Sequence, residues 1–198
     1  MIAAPDFYIT PEEYLALEEN STVKHEYIDG YIYAMAGAFD SHVTIALNMA
    51  SLLRNHLRGY GCRVYIADMK ARIESLNRFY YADVMVTCDL RDQETPGYKR
   101  FPCLIIEVLS NSTEGFDRGD KFADYQMLET LQEYVLINTK KPRVECFRRN
   151  EEGLWILQSY IGEQTSFQLQ TINFTGTMTE LYEDVNFLPL SQQRASSE

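Results

Sequence analysis

The chain has 198 residues and carries 29 acidic against 18 basic side chains, which gives a net charge of −11 at pH 7. This length is typical of one domain with a hydrophobic core. So negative a charge argues against a protein that coats nucleic acid through an extended basic surface. No apolar run reaches the roughly 18 residues of a membrane span, and no segment resembles a signal peptide. We therefore expect a cytoplasmic protein with no membrane partner.

A short helix and a β-hairpin are the first predicted elements. Thr10 can cap a helix whose first residue, Pro11, has no amide hydrogen to satisfy. Asp29-Gly30 is a turn signal between two short strands. The predicted segments are a helix over residues 10–19 and strands over residues 24–28 and 31–36.

A longer helix follows the hairpin. Ser41 is its predicted N-cap, and Gly59 and Gly61 end it. Its apolar positions are predicted to form the face that packs on the core, namely Val43, Leu47, Ala50 and residues 53–57.

Strands dominate the remainder of the chain. Residues 103–109 form an almost continuous apolar run, typical of a strand buried on both faces. Asp117 is the predicted cap of one further long helix, residues 118–129. The pattern indicates an α+β (α/β) fold in which helices pack on a central mixed sheet. We expect one domain over residues 1–190, a disordered tail over 191–198, a charged loop over 89–100, a short helix over 179–183, and strands over 63–73, 79–88, 134–138, 144–148, 154–161 and 166–172.

The four cysteines are scattered and form no CxxC pair. Three of them lie in apolar, strand-like segments, where a free cysteine behaves as a small core residue. The three histidines are equally dispersed, so the ligand spacing of a zinc site is missing. We therefore expect free thiols and no zinc at Cys62, Cys88, Cys103 and Cys146.

Two predicted strands each contain one acidic residue among apolar neighbours. Glu107 is the lone charge in residues 103–109, and Asp83 is the lone acid in residues 80–86. A buried carboxylate is costly unless it is paired, hydrogen-bonded or bound to metal. Alternatively, each acid could lie at the end of its strand, where its carboxylate would reach solvent or pair with an arginine. If the two strands are neighbours, both carboxylates can converge on one hard cation such as Mg²⁺.

Lys121 is the candidate cation of the same site. It lies 14 residues after Glu107 and shares a helical stripe with Tyr125, so we expect it beside the buried face. The alternative is a solvated lysine paired with Asp117 or Asp124. Together with the two acids, it fits metal-assisted phosphodiester hydrolysis. The lysine would orient or help to deprotonate the attacking water, or stabilise the charge of the phosphorane.

The motifs and their order resemble those of the Uma-type family of restriction endonuclease-like proteins, which belongs to the PD-(D/E)XK nuclease superfamily. The resemblance covers residues 7–190 and implies a core of helix, three-stranded antiparallel meander, helix and further strand. It also implies an endonuclease that uses Mg²⁺, or Mn²⁺, to cut double-stranded DNA as a homodimer. The strings that carry it are YIDG (27–30), YAD (81–83), IEVLSNST (106–113), DRGDKFADY (117–125) and EYVL (133–136), together with His42.

The resemblance also implies roles for individual residues. Asp83 corresponds to the first acid and Glu107 to the second, and both would ligate the metal. Superfamily members usually place a lysine two residues after the second acid, where this chain has Leu109. Lys121, in the following helix, matches the position to which this family has moved that lysine. Ala82 replaces a proline and removes no catalytic group.

Two further residues and two other functions complete the sequence interpretation. Glu26 is a candidate catalytic acid by analogy, and His42 either lines the site or caps its helix. The basic residues of the segment 140–149 either contact phosphates or are simply solvated. A nuclease fold that binds without cleaving is favoured by the acidic net charge. A glycosidase that uses the same carboxylates is poorly supported, because Trp155 is the lone tryptophan.

Overall fold

The computed structural model of the protein describes residues 8–187, so the tail predicted for residues 191–198 lies outside the described part. Within that part, no helix is long and apolar enough to cross a membrane. The helices are α1 (Pro11–Asn20), α2 (Asp40–His56), α3 (Glu114–Arg118), α4 (Asp120–Tyr125) and α5 (Met178–Leu181). The strands are β1 (His25–Ile28), β2 (Tyr31–Ala34), β3 (Arg63–Ile66), β4 (Lys70–Ile73), β5 (Arg78–Tyr81), β6 (Val84–Thr87), β7 (Tyr98–Lys99), β8 (Leu104–Leu109), β9 (Glu133–Asn138), β10 (Arg143–Arg149), β11 (Trp155–Ile161), β12 (Ser166–Leu169) and β13 (Phe174–Thr177).

A six-stranded mixed sheet, in the order β11-β10-β9-β8-β6-β3, forms the centre of the protein. Strands β3, β6 and β8 are an antiparallel meander, and β9 then pairs parallel to β8. Every residue of β8 and β9 is buried. The predicted α+β fold and the strand buried on both faces are therefore confirmed, and any charged side chain in β8 lies in the interior.

Helix α2 packs on one face of this sheet, and the predicted face is confirmed at Ala50, Leu53 and Leu57, which are buried, but not at two other positions. Its buried stripe contains Ile45, Met49 and Leu53, whereas Val43 and Leu47 are 53% and 58% exposed. The prediction is wrong at these two positions because a shift of two residues rotates a side chain by about 200° around a helix. The helix also begins at Asp40, so Ser41 lies inside it and does not cap it.

The N-terminal hairpin belongs to a second, five-stranded sheet, in the order β2-β1-β5-β4-β7. Its turn has positive φ angles at Asp29 (45°) and Gly30 (91°), as a tight hairpin requires. Helix α1 starts with the predicted capping box, in which Thr10 and Glu13 exchange side-chain and main-chain hydrogen bonds. The predicted first helix and hairpin are therefore confirmed.

Each of the two long strands predicted over residues 63–73 and 79–88 is in fact two strands in two different sheets. Strands β3 and β6 pair in the central sheet, whereas β4 and β5 pair in the second sheet. The chain bends at Ala67, where φ is 22°, and at Ala82-Asp83. A hydrogen bond of 3.2 Å from Ala67 N to Asp83 O joins the two bends. Asp83 therefore lies at the junction of the sheets, not within a strand as predicted.

The long helix predicted after β8 is also divided. Helices α3 and α4 meet at Gly119, and Asp117 lies inside α3 rather than at a cap. A side chain at position 119 would come within 3.1 Å of the main-chain oxygen of Gly115. Two glycines four residues apart also weaken a continuous helix. The break separates Asp117 and Lys121 into different helices and leaves both side chains buried.

The C-terminal extension is antiparallel, as predicted, but it does not continue as one meander. Strands β10 and β11 extend the central sheet, whereas β12 pairs with β13 in a separate two-stranded sheet. The loop predicted over residues 89–100 contains the short strand β7 and two buried charged side chains, Asp92 and Lys99. These departures arise because strand partners are chosen by contacts distant in sequence.

Cys62 and Cys88 form a disulfide, so the prediction of free thiols is wrong for this pair. Cys62 directly precedes β3 and Cys88 directly follows β6, and these strands pair from Arg63 opposite Thr87. Antiparallel pairing therefore brings the two thiols together. Cys103 and Cys146 are free, as predicted.

Replacing Cys62 by Ser should lower the free energy of unfolding by about 3 kcal/mol, because the bond constrains the unfolded chain. The two cysteines are 26 residues apart. Urea unfolding of the wild type and Cys62→Ser, each with and without dithiothreitol, measures the effect. Dithiothreitol should lower the wild-type midpoint to that of the variant and leave the variant unchanged. Equal midpoints under oxidising conditions would show that the bond does not stabilise the protein.

Candidate active site

Asp83 and Glu107 lie on neighbouring chain segments at one end of the central sheet. Strand β6 pairs with β8 through Val84 opposite Ile106, so the residue before Val84 meets the residue after Ile106. The Val108 amide donates to Asp83 Oδ2 at 2.7 Å, and the Asp83 amide donates to Glu107 Oε2 at 3.4 Å. These main-chain bonds orient both carboxyl groups. The two acids are thus brought together, as the sequence predicts for adjacent strands.

Lys121 is buried among acids and does not extend into solvent. Its Nζ lies 2.9 Å from Glu107 Oε1 and 3.1 Å from Glu26 Oε1, and it donates to the Tyr81 carbonyl oxygen at 3.3 Å. Asp117 is 3.8 Å away, so one of the two partners in the alternative interpretation is also present. Lys121 therefore connects α4 to both sheets.

The other alternative partner of Lys121, Asp124, is engaged elsewhere. It forms an ion pair with Arg78 and accepts a hydrogen bond of 2.5 Å from the Tyr80 hydroxyl. Asp124 is thus occupied beside Lys121, whose Nζ is 5.7 Å from the centre of the Tyr80 ring.

The charge on Lys121 is set by its neighbours. Burial lowers the pKa of the Lys121 amine, but the negative charges of Glu107 and Glu26 outweigh burial, and the pKa is raised well above its usual value. Lys121 is therefore an ammonium ion at neutral pH. In this form it can orient water or donate a hydrogen bond to a group that gains negative charge.

Asp117 is the site residue that the sequence interpretation missed as a member of the cluster. It is buried, and burial raises the pKa of its carboxyl group against the opposing charge of Lys121. The sequence does contain a signal for this contact, because Asp117 and Lys121 are four residues apart and residues at that spacing are neighbours on a helix surface. The sequence interpretation gave Asp117 a role as a helix cap and as an alternative partner of a solvated Lys121, but not as a member of the buried cluster.

Glu26 reaches the same pocket from the second sheet. It lies in β1 and is buried, and its only described ion pair is the one with Lys121 Nζ. The hairpin that carries Glu26 pairs with β5, which leads directly to the bend at Asp83. The structure therefore places this candidate acid beside the lysine.

His42 lines the site, which was one of its two predicted roles. Its Nε2 lies 3.2 Å from Asp83 Oδ2. Burial lowers the pKa of His42, but the hydrogen bond and charge of Asp83 raise it, and the net pKa is above the usual value. The predicted capping role is not observed, because the helix begins at Asp40 after Phe39, which makes no side-chain cap bond.

Two buried tyrosines donate hydrogen bonds to members of the acidic cluster. The Tyr125 hydroxyl donates to Glu107 Oε1 at 3.3 Å, and the Tyr134 hydroxyl donates to the main-chain oxygen of Asp117 at 2.9 Å. Both rings are fully buried. They supply hydrogen bonds to the acidic cluster without adding charge.

The donor set fits a hard divalent cation. The Glu26, Glu107 and Asp117 carboxylates lie 3.1, 2.9 and 3.8 Å from Lys121 Nζ, and the Asp83 amide joins Asp83 to Glu107. Among residues 8–187, no group of three or more His, Cys, Asp or Glu side chains has a metal-binding arrangement. Asp83 and Glu107 could hold an ion only with water and phosphate oxygens as the other ligands, an arrangement that Mg²⁺ prefers. The Asp83 side chain is 21% exposed and gives access to solvent.

The basic segment 140–149 does not act as one cluster. Arg148 donates from Nε to Glu133 at 2.7 Å and from Nη2 to the Tyr160 hydroxyl at 3.0 Å. It therefore serves the fold. Lys140 and Lys141 are exposed, and Arg143 pairs with Glu145 at 2.7 Å.

The chain is similar in sequence to known proteins. The sequence model of the Uma2 family, described as "Putative restriction endonuclease", matches residues 11–179. The chain is 36% identical over 185 residues to the uncharacterized protein slr1290 of Synechocystis sp., which covers 93% of this chain and 97% of the relative. It is 33% identical over 171 residues to the uncharacterized protein sll1609 of the same organism, which covers 85% of this chain and 96% of the relative.

A crystal structure described as a "putative nuclease belonging to DUF820", from Anabaena variabilis, has the same fold. The TM-score is 0.71 at 16% identity, over 88% of this chain and 97% of the other. The family match spans most of the chain and includes the segments that carry Glu26, Asp83, Glu107 and Lys121. This chain therefore belongs to the Uma2 family of restriction endonuclease-like proteins.

Proposed function

We propose that this protein is an endonuclease that uses a divalent metal ion to hydrolyse phosphodiester bonds of double-stranded DNA. The observation that carries the proposal is the convergence of two acids and one lysine on a single pocket, with Lys121 Nζ 2.9 Å from Glu107 and Asp83 tied to Glu107 by a main-chain bond. The description of the family and the nuclease-like fold support the same class of reaction.

Asp83 and Glu107 would hold the metal in this mechanism. When bound, Mg²⁺ or Mn²⁺ lowers the pKa of water and offsets charge on the phosphate. Lys121, as an ammonium ion, keeps Glu107 in place and would donate to a phosphate oxygen that gains negative charge. Glu26, predicted as a catalytic acid, lies 3.1 Å from Lys121 and would hold the ammonium group in position. His42 would do the same for Asp83.

The proposal includes a homodimer in the cytoplasm. A two-fold symmetric dimer would present one site to each strand of a duplex. The Cys62–Cys88 disulfide counts against a cytoplasmic location, because reducing compartments seldom retain such bonds. The redox state of this pair in intact cells tests the location directly.

Nicking of supercoiled plasmid tests the proposed activity. The wild type should convert supercoiled DNA to nicked and linear forms with Mg²⁺ or Mn²⁺, and EDTA should stop the reaction. Linear duplex, single-stranded DNA and RNA in parallel reactions identify the substrate. Absence of cleavage on every substrate with either metal would contradict the proposal.

A nuclease fold that binds without cutting is the second candidate. The observation in its favour is the net charge of −11, because a large phosphate footprint requires cations. In that case, a partner that requires no large basic surface would bind without any product, with or without a divalent ion.

Replacing His42 by Ala should weaken Mg²⁺ binding about 10- to 100-fold, because the side chain that orients a metal ligand is lost. The imidazole contacts Asp83 Oδ2 at 3.2 Å. Isothermal titration with Mg²⁺ measures the change, and His56→Ala, on the same helix, is the control. Unchanged Mg²⁺ affinity in His42→Ala would show that this contact does not support the site.

A further inference from the structure

We propose that Arg118 and Arg143 form a phosphate-binding pair that holds the nucleic-acid backbone beside the acidic pocket. This inference rests on the proposed function, because it supplies the substrate contact for the same site. Glu145 joins the two guanidinium groups. Arg118 Nη2 donates to its Oε2 at 2.6 Å, and Arg143 Nη2 donates to its Oε1 at 2.7 Å.

The pair lies on the face of the sheet that carries the acids. Glu107, Leu136 and Glu145 are direct partners across β8, β9 and β10. Directly opposite residues point to the same face, and neighbouring strands are about 4.8 Å apart. Glu145 is therefore about 10 Å from Glu107 along one row. Arg118 directly follows Asp117, which belongs to the Lys121 cluster.

The two arginines have unused donors. A guanidinium group has five N–H donors in a planar fork that matches phosphate oxygens. Arg118 uses Nε and Nη2 for Glu114 and Glu145, and Arg143 uses Nη2 for Glu145. Among residues 8–187, neither Arg118 Nη1 nor Arg143 Nη1 donates a hydrogen bond, whereas the unpartnered Arg143 Nε is buried and out of reach of a ligand. Glu145 therefore holds both guanidinium groups in place but uses only some of their N–H donors.

Exposure places the positive charge outward. The Arg118 and Arg143 side chains are 31% and 30% exposed, whereas that of Glu145 is 4% exposed. The carboxylate is thus covered by the two cations that it fixes. A polyanion approaching this surface can reach both guanidinium groups, alongside the partly exposed Glu114 that pairs with Arg118 Nε at 3.0 Å.

Two lysines extend the pair along the same edge of the sheet. Lys140 and Lys141 are exposed in the turn between β9 and β10, and both amides donate to Asn138 Oδ1. Asn138 is opposite Leu109, at the end of the strand that carries Glu107. We call Arg118, Lys140, Lys141 and Arg143 the basic rim. In a chain of net charge −11, it concentrates cations where a phosphate substrate needs them.

The salt dependence of DNA binding tests this pair. Binding of a fluorescent duplex is measured over a salt series with Ca²⁺ in place of Mg²⁺, alongside plasmid cleavage with Mg²⁺. Arg118→Gln and Arg143→Gln should each weaken binding about tenfold and reduce the slope of log K against log salt by about 1. Arg143→Lys should keep most of the slope but lose affinity, because it retains charge without the fork.

Arg54→Gln is the matched control. Arg54 is exposed on α2, twelve residues after His42 and hence about 18 Å away along the helix axis. It should bind with wild-type affinity and slope. If an arginine variant fails to fold in thermal unfolding, a Lys140→Gln/Lys141→Gln variant is used instead, since these residues hold the turn through main-chain groups and their side chains form no hydrogen bond or ion pair among residues 8–187.

The outcomes separate this inference from the proposed function. A wild type that cuts DNA, with arginine or lysine variants that keep its affinity and slope, overturns the basic rim and leaves the nuclease intact. A wild type that neither cuts nor binds any nucleic acid overturns both. Lower slopes confined to basic-rim variants establish the phosphate contact.

Discussion

Asp83→Asn and Glu107→Gln should each reduce DNA cleavage by about 10³-fold or more, because each removes one anionic ligand from a two-carboxylate metal site. Both replacements keep the size of the side chain. The Asp83→Asn variant retains an oxygen for the Val108 amide, and the Glu107→Gln variant retains one for the Asp83 amide. The main-chain bonds at 2.7 and 3.4 Å can therefore persist. The loss should be one of metal binding and activity, not of folding.

Isothermal titration with Mg²⁺ and Mn²⁺, followed by plasmid nicking, measures this prediction. Heat of binding and nicking should disappear together in each variant. Glu151→Gln is the matched control, because Glu151 is exposed in the turn between β10 and β11 and undergoes the same chemical change. Thermal unfolding of each protein separates a loss of activity from a loss of structure.

Two results would contradict the assignment of these acids. Cleavage that persists in Asp83→Asn or Glu107→Gln would show that a different set of residues holds the metal. A wild type that binds no divalent ion and cuts nothing would favour the binding module. Lys121 would then have only its structural role as counter-ion of the buried acids.

Lys121→Met should lower the free energy of unfolding by about 3–5 kcal/mol and abolish cleavage, because it leaves buried carboxylates without their cation. Lys121 Nζ is 2.9 Å from Glu107, 3.1 Å from Glu26 and 3.8 Å from Asp117. The methionine fills a similar volume, so the effect reports the lost charge rather than a cavity. Urea unfolding at neutral pH measures it.

A second substitution identifies the cause of the instability. Glu26→Gln in the Lys121→Met background should recover part of the lost stability, since it removes one of the uncompensated charges. Lys140→Met is the control and should change stability by less than about 0.5 kcal/mol, as expected for an exposed lysine. A Lys121→Met protein as stable as wild type would mean that the ammonium group is not required to hold the acids together.

The central residues of the candidate site are predictable from sequence because their surroundings are anomalous. Glu107 is the lone charge in an apolar strand, and burial of β8 on both faces makes that charge expensive. Asp83 stands out in the same way, and Lys121 lies at helical spacing from Tyr125. These signals are local, so they can be recognised without any knowledge of the fold. The resemblance to Uma-type proteins added the order of the motifs and the candidate Glu26.

Several features of the site are decided by contacts that leave no local signal. The bend at Ala82-Asp83 is flanked on both sides by residues of strand type, so nothing in the pattern marks the change of sheet. The pairing of Cys62 with Cys88 depends on the register of β3 and β6. The orientation of α2, which leaves Val43 and Leu47 exposed, depends on the strands beneath it.

Local patterns in the chain are enough to identify the buried segments, the N-terminal helix and hairpin, and the acids and lysine that stand out as candidates. Alternation and helical spacing record burial directly, because each side chain is selected for its own environment. The folded arrangement was needed to show that Glu26 and Lys121, 95 residues apart, lie in one buried cluster with Glu107 and Asp117. These contacts depend on the pairing of strands that are distant in sequence and on the break at Gly119. They are stabilised by interactions between segments, so no single segment encodes them.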